Sequence, residues 1–347
     1  MPASALEPRS LPSTEPIALL SIDAGMARAA AQASPIPCVE TTPLVRAEGR
    51  VLAQTVRATR DCPSFDQSAM DGYAVAAAEN GLAEGARLHV IGRIPAGRAG
   101  AAVQGGAAAR IFTGAPMPPG ADAVVMQEHV DRTGDVIALG RPVFPGSHVR
   151  RRGEDVAYGT TLSQPGLRVD ARHVALFAAQ GIASVVVRRR VRAAVLSTGD
   201  ELREAGDAFP DGPAVPDTNR PMLLALLARA GVEVVDGGRV QDDPDAIGRA
   251  LSALAGTCDL IVTSGGASVG EEDHAARALA RAGGAGEALK LGLKPGKPAV
   301  VGRIGGAVYL GLPGNPVSAL VSWSLLGRAV VARLEGRPFA RPAGFRV

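Results

Sequence analysis

A multidomain α/β protein is the fold class this sequence predicts, and three observations predict it. From residue 188 to 336, short apolar runs alternate with loops and helix-like segments, the rhythm of βαβ units around a parallel sheet covered on both faces. Residues 61–145 are crowded with Gly and Pro between short alternating runs, the pattern of a small β-rich domain. At 347 residues the chain exceeds the usual size of a single core, and its 46% hydrophobic content gives two or three domains apolar surface to bury.

Residues 1–15 are rich in Pro and Ser without a basic-then-apolar signal pattern and read as a disordered tail. Residues 16–60, with 146–187, make a mixed linking domain. Within it, apolar residues at helical spacing over 16–35 predict a helix, "LVRAEGRVLAQTVRA" (44–58) predicts a second, and "DARHVALFAAQG" predicts a third, closed by Gly181. In the β-rich domain, "LHVIG", "AARIF" and "AVVMQEHV" read as strands. The α/β domain (188–336) then runs strand "RAAVLS", helix "MLLALLARAG", strand "VEVVDGG", helix "PDAIGRALSALAG", strand "CDLIVTSGG" and helix "DHAARALARAG". Strand "GAVYLGLPG" follows, with "PVSALVSWSLLGRAVVARLEG" as a long final helix and residues 337–347 as a tail. No repeat period of about 20–50 residues is present, and no apolar run approaches the roughly 18–20 residues of a membrane span.

Composition excludes several functions. Cys38, Cys62 and Cys258 lie far apart without metal-ligand spacing, which argues against zinc or a disulfide framework and fits a reducing cytoplasm. A net charge of +3 is mildly basic, but 3% aromatic content leaves few stacking platforms, so small acidic or phosphorylated substrates fit better than nucleic acid. The cations are unevenly chosen. Of 37 Lys and Arg residues only Lys290, Lys294 and Lys297 are lysine, all within "LKLGLKPGKP". A compact ammonium fits a narrow pocket against a tetrahedral oxyanion where a planar guanidinium fork does not; a cluster on a solvated hairpin is the plainer alternative.

Ligands of open α/β sheets bind beyond the carboxyl ends of the strands, and three loops there are unusual: "STGDEL", "TSGGASVGEEDH" and "GLPGNPVS". Gly265 and Gly266 suit close backbone approach to a ligand, or a tight turn. Asn315 and Pro316 suit a helix start. Asp200, Glu201, Asp242, Asp243, Glu271, Glu272 and Asp273 supply carboxylates that, with the lysines, could set Mg²⁺ against phosphate or oxyanion oxygens, although "SVGE" also fits a capping box. Asp71 reads as a carboxylate held on a loop just before a strand, and Thr113 sits on a turn stiffened by Gly and Pro.

"FDQSAMDGYAV", "TGAPMPPGADAVVMQE", "RRRGEDV", "STGDEL", "DTNRPML", "TSGGASVGEEDH", "LKPGKP" and "GLPGNPVS" stand in one order, and in that order the chain resembles the molybdopterin molybdenumtransferases, which include bacterial MoeA and the C-terminal part of gephyrin, over residues 16–336. The resemblance implies Mg²⁺-dependent insertion of molybdate into adenylylated molybdopterin with release of AMP. It implies a homodimer whose active sites are shared between subunits and allows a contact with the adenylyltransferase that makes the substrate; composition and the lack of a long apolar run predict no nucleic-acid or membrane partner. Carried over by motif, Asp71, Thr113, Asp155, Glu201, Lys290 and Lys294 would be catalytic. Ser264, Gly265, Gly266, Ser268, Lys297, Pro313, Asn315 and Ser318 would bind substrate, and Asp243, Asp273 and Glu201 the metal. Family members usually continue into a further small β domain, whereas this chain stops at "RPFARPAGFRV". The adenylyltransferase itself and a non-catalytic scaffold are the alternatives; the roughly 185 residues ahead of "RVRAAVLS" weigh against the first and the intact motif residues against the second.

Overall fold

The computed structural model describes residues 19–207, 213–265 and 274–339. Helix α1 (Ile22–Ala31) starts where Ser21 Oγ accepts the Ala24 N–H at 3.1 Å, and it buries Gly25, Met26 and Ala29. The second expected helix is absent. Residues 44–58 hold one 3₁₀ turn, Leu44–Arg46; Gly49 then adopts φ +74°, Val51 and Leu52 bridge to Arg168 and Val187, and Val56–Arg57 pairs with Thr161–Ser163. A left-handed glycine ends helical propagation, and the apolar residues whose spacing suggested a helix pack instead around Leu52, Val169, Phe177 and Val187. Strand Val39–Pro43 pairs with Ser184–Arg188, so segments on either side of the β-rich region share one packed unit. Helix α2 (Ala171–Ala179) has the expected ends, with the Asp170 carboxylate accepting from Arg172 and His173 N–H and Gly181 at φ +74°.

The β-rich region forms a six-stranded sheet from β1 (Gly72–Val75), β2 (Arg87–Ile94), β3 (Ala107–Ile111), β4 (Ala123–Met126), β5 (Val130–Thr133) and β6 (Val136–Leu139), in the order β4-β1-β3-β2-β6-β5. Only β2 and β3 pair in parallel. "AVVMQEHV" is two strands, not one, because a 3₁₀ turn at Gln127–His129 interrupts it. All four residues of β1 are buried.

The α/β region follows as β7 (Arg192–Thr198), α3 (Asn219–Arg229), β8 (Glu233–Val240), α4 (Pro244–Ala255), β9 (Leu260–Ser264), α5 (His274–Arg281), β10 (Ala285–Lys290), β11 (Pro298–Ile304), β12 (Ala307–Leu312), α6 (Pro316–Ser322) and α7 (Arg328–Leu334). Its sheet order is β8-β7-β9-β12-β11-β10. Strands β8, β7, β9 and β12 are parallel, but β11 is antiparallel to both neighbours, which corrects the expectation of a parallel sheet. The residue pattern announces neither β10 nor β11: β10 is an edge strand with four exposed residues, and β11 opens on Pro298 and contains Gly302. One face of the sheet packs against α1, α3 and the α6–α7 rod through Leu223, Leu227, Trp323 and Val330; the other packs against α4 and α5 through Ile247, Leu251 and Leu279.

Helix α6 continues into α7 through a π turn at Trp323–Gly327, where the Trp323 ring occupies the space of a Gly327 side chain. The 19-residue run Pro316–Leu334 contains an 18-residue window of mean hydropathy 1.4, so one segment does reach the length and composition of a membrane span. Of that run, 61% is buried inside the fold, as expected of a core helix. The linking unit is fastened to α7 by Arg168, whose guanidinium donates to the buried Glu335 carboxylate at 2.6 and 2.8 Å and to Ala230 O at 3.1 Å.

A Cβ at Gly72 would lie 1.8 Å from Val125 O on the neighbouring strand. Gly72→Ala is therefore expected to cost on the order of 3 kcal/mol through backbone displacement in a packed sheet, read as a lowered midpoint in urea or thermal unfolding.

Candidate active site

The carboxyl ends of β7, β9 and β12 meet at one edge, and chain reversal brings the lysine loop to the same edge. Because β11 runs against β12, Gly311 near the end of β12 faces Val300 near the start of β11, and Lys290 at the end of β10 faces Pro298. The connection 291–297 therefore projects beside Pro313–Asn315. It is fastened from several sides. Leu20 and Gly292 N–H donate to Lys290 O and Leu20 O at 2.8 Å, and Leu291 N–H to Lys297 O at 2.8 Å. Gly296, at φ +107°, lies against α6, where a Cβ would stand 3.3 Å from Ser322 Oγ and 3.6 Å from Ser318 O. Lys290 is half-buried and Lys294 and Lys297 are exposed; none pairs with a carboxylate among the described residues. Arginines of the "RRRGED" turn are all committed, Arg151 to Asp66 at 2.7 Å, Arg152 to Asp61 at 2.6 Å and Arg150 to Asp155.

A cavity of about 350 Å³ opens at this edge, lined among others by Ser197, Glu201, Asp217, Asn219, Ser264 and Gly265. Gly265 has φ +102° and no room for a side chain, since a Cβ would lie 2.3 Å from Thr198 O. Asn219, at the start of α3 and 7% exposed, donates through Nδ2 to Ser264 Oγ and to Gly314 O, both at 2.7 Å. Asn315 Oδ1 accepts the Ser318 N–H at 3.0 Å, which with Pro316 starts α6. Beyond Glu201 a second cavity of about 410 Å³ is lined by Asp200, Arg203, Arg239, Gln241, Asp242 and Asp243. The Asp243 carboxylate accepts from Asp245 and Ala246 N–H at 3.2 and 3.1 Å as the cap of α4.

A separate constellation lies on the β-rich sheet. Asp71 Oδ1 accepts both the Thr113 N–H and the Thr113 hydroxyl at 2.8 Å. These two donors hold the Asp71 carboxyl below the usual carboxylate range, the backbone N–H most strongly, with nearby Arg110 assisting. Arg110 itself donates to Gly72 O at 3.0 Å and lies over the Tyr73 and Phe112 rings.

Residues 20–181 match the family model for the MoeA N-terminal region (domain I and II), and residues 194–333 match that for a probable molybdopterin binding domain. Molybdopterin molybdenumtransferase 2 of Mycobacterium tuberculosis is 42% identical over 307 residues, covering 86% of this chain and 76% of that protein. The chain belongs to the molybdopterin molybdenumtransferase family. The Haemophilus influenzae molybdopterin molybdenumtransferase is 39% identical over 296 residues, covering 85% of this chain and 72% of its own length. The solved molybdopterin biosynthesis MoeA protein of Pyrococcus horikoshii superposes with a TM-score of 0.78 at 30% identity, over 92% of this chain and 80% of that one.

Of the residues carried over from the molybdenumtransferase motifs, the fold gathers Glu201, Ser264, Gly265, Pro313, Asn315, Ser318 and the three lysines at the α/β edge. Asp71 and Thr113 meet each other on the β-rich sheet, and Asp155 is engaged by Arg150 on the linking segment. Glu201 and Asp243 line different cavities. Gly266, Ser268 and Asp273 lie outside the described residues, and among the described residues no group of three His, Cys, Asp or Glu could hold a metal ion. The motif "DTNRPML" contributed no expected site residue, yet Asn219 within it is the side chain that joins two of the edge loops. Its one signal in sequence is an amide directly before an Arg–Pro helix start, which a helix cap explains equally well.

Thr113→Val should raise the Asp71 pKa by removing one of its two donors while the backbone N–H remains. Because the folded value is depressed, the associated stability is present above the unfolded pKa and lost as pH falls through the folded one; the variant should lose it at a higher pH. Carboxyl ¹³C titration of Asp71 in wild type and variant measures both.

Proposed function

We propose that this chain inserts molybdate into adenylylated molybdopterin, releasing AMP and molybdenum cofactor, at a site built on the α/β edge and completed by the β-rich sheet of a second copy. The observation that carries this reading is the lysine loop. It sets the chain's only three lysines, unpaired with described carboxylates, at the carboxyl edge of the sheet on which the cavity of about 350 Å³ also opens. In a chain that uses arginine everywhere else, that placement suits a tetrahedral oxyanion. The relatives, named molybdopterin molybdenumtransferases, support molybdate as that anion.

Lys290, Lys294 and Lys297 would bind molybdate and substrate phosphate oxygens. Gly265, without room for a side chain, would let backbone approach the substrate, and Asp71, fixed as a carboxylate by Thr113, would act from the partner subunit. Mg²⁺ takes as few as one or two protein carboxylates and completes its shell with phosphate oxygens and water; Glu201, which lines the cavity, would be one such carboxylate, whereas Asp243 lines the neighbouring cavity and caps α4. When bound, the ion would neutralise developing charge on the phosphate.

Lys294→Arg is expected to lower AMP release from adenylylated molybdopterin in the presence of molybdate by about 10-fold or more, the size of one lost charge-assisted contact, with the thermal midpoint nearly unchanged. Wild-type turnover in the variant would remove the case for lysine selection.

Shared sites are tested by subunit exchange. Asp71→Ala and Lys294→Ala are each expected to be nearly inactive alone. After random exchange, half of the dimers are mixed, each with one intact and one doubly damaged site, so activity should recover to roughly 25% of wild type. A tagged partner followed by mass verifies exchange, and exchange without recovery would place both residues in one subunit's site.

A further inference from the structure

We infer that Asn219 reads the pterin ring of the substrate, its Oδ1 accepting a hydrogen bond from the exocyclic amino group; this rests on the reading that the chain takes a molybdopterin substrate.

The orientation of the Asn219 carboxamide is fixed by its partners. Gly314 O, a backbone carbonyl at 2.7 Å, can only accept, so the nitrogen must face it, and the same nitrogen reaches Ser264 Oγ at 2.7 Å. Oδ1 is therefore left on the other side. It is fully buried and has no partner. Asn219 lines the cavity of about 350 Å³, and a second buried atom without a partner, Ser197 Oγ, belongs to a residue of the same lining. Native structures satisfy most buried polar groups, and among the described side chains left without a partner these two share the lining of one cavity, which points to a ligand that completes them.

What Oδ1 lacks is a donor. Molybdate and the fully ionised phosphates of an adenylyl link offer only acceptors at neutral pH and cannot serve, which separates this position from the lysine loop. A pterin offers an amino group beside a ring N–H. The amino group projects from the ring and can reach a recessed oxygen, whereas the ring N–H lies flush with the edge. The location agrees, since Asn219 falls within residues 194–333, matched to a probable molybdopterin binding domain. The adenine amine of the adenylyl group is the competing donor, and binding measurements separate the two.

The test titrates the full chain with molybdopterin, with AMP, and with 6-carboxypterin against 6-carboxylumazine, in which a carbonyl oxygen replaces the amino group. Wild type should prefer the pterin by about 10-fold or more, since the lumazine sets oxygen against oxygen. In Asn219→Ala that preference should collapse towards unity and molybdopterin affinity should fall, with AMP affinity retained. A merely structural role would weaken pterin and lumazine equally and leave their ratio intact, which would overturn the inference. Loss of AMP affinity with molybdopterin affinity retained would overturn it in favour of adenine. If Asn219→Ala does not fold, the wild-type ratio decides, and equal binding of pterin and lumazine refutes the assignment. Wild type that binds molybdopterin without that preference sinks this inference alone; wild type that binds no molybdopterin sinks the functional reading first and the inference with it.

Discussion

The carboxamide of Asn219 ties the start of α3 to residues 45 and 95 positions further along the chain, Ser264 at the end of β9 and Gly314 after β12. A neutral hydrogen bond contributes only about 1 kcal/mol net, but a buried carbonyl left without its donor costs roughly 1–3 kcal/mol, so the edge loops have one favoured arrangement. Much of the local geometry follows from that contact. Gly265 passes so close to Thr198 that no side chain fits, and Gly314 approaches within 3.9 Å of Gly265 as measured from the place its own Cβ would take. The cavity exists because these backbones are held near one another without side chains between them.

Across the fold the two cations divide the labour according to their shapes. Arginine's fork is used as a fastener inside the fold: Arg168 on Glu335, Arg189 on Asp259 at 2.8 and 3.0 Å, and Arg220 on Asp217 and Asp236. Each satisfies carboxylate and backbone oxygens in directions a planar group can match. Lysine is withheld from this work and confined to one loop. The loop still needs a rigid base, which the pairing of Lys290 O with Leu20 N–H and the packing of Gly296 on α6 provide.

The β-rich sheet makes a complementary contribution. Asp71 precedes a fully buried strand, and Thr113 follows the neighbouring strand β3, so the sheet itself sets the pair in register, with Gly72 facing Ile111. Two donors on one carboxylate oxygen keep it ionised and immobile. Such a group can orient a cation or a substrate hydrogen, but a depressed pKa makes it a poor proton donor near neutrality.

Amino-acid pattern alone determined the alternation of strands and helices after residue 188, the close of α2 at Gly181, the start of α6 at Asn315 and Pro316, and the motifs that mark the family, because each is encoded within a few residues of itself. It also singled out the three lysines, whose rarity needs no coordinates. Tertiary structure decided the rest. Residues 44–58 have helical spacing but fold as bridges and a short strand, since distant partners at Arg168, Val187 and Thr161–Ser163 take up their backbone groups. The antiparallel turn of β10 and β11, unannounced by the residues of either strand, swings the lysine loop to the ligand edge, and pairing register is a property of neighbours rather than of the strand itself. Asn219 stood in the sequence only as part of the "DTNRPML" motif, with no role of its own. Its role as a bridge, and the unpaired oxygen that bridge leaves behind, arise from contacts 45 and 95 residues away, and no local pattern encodes which far carbonyl an amide will meet.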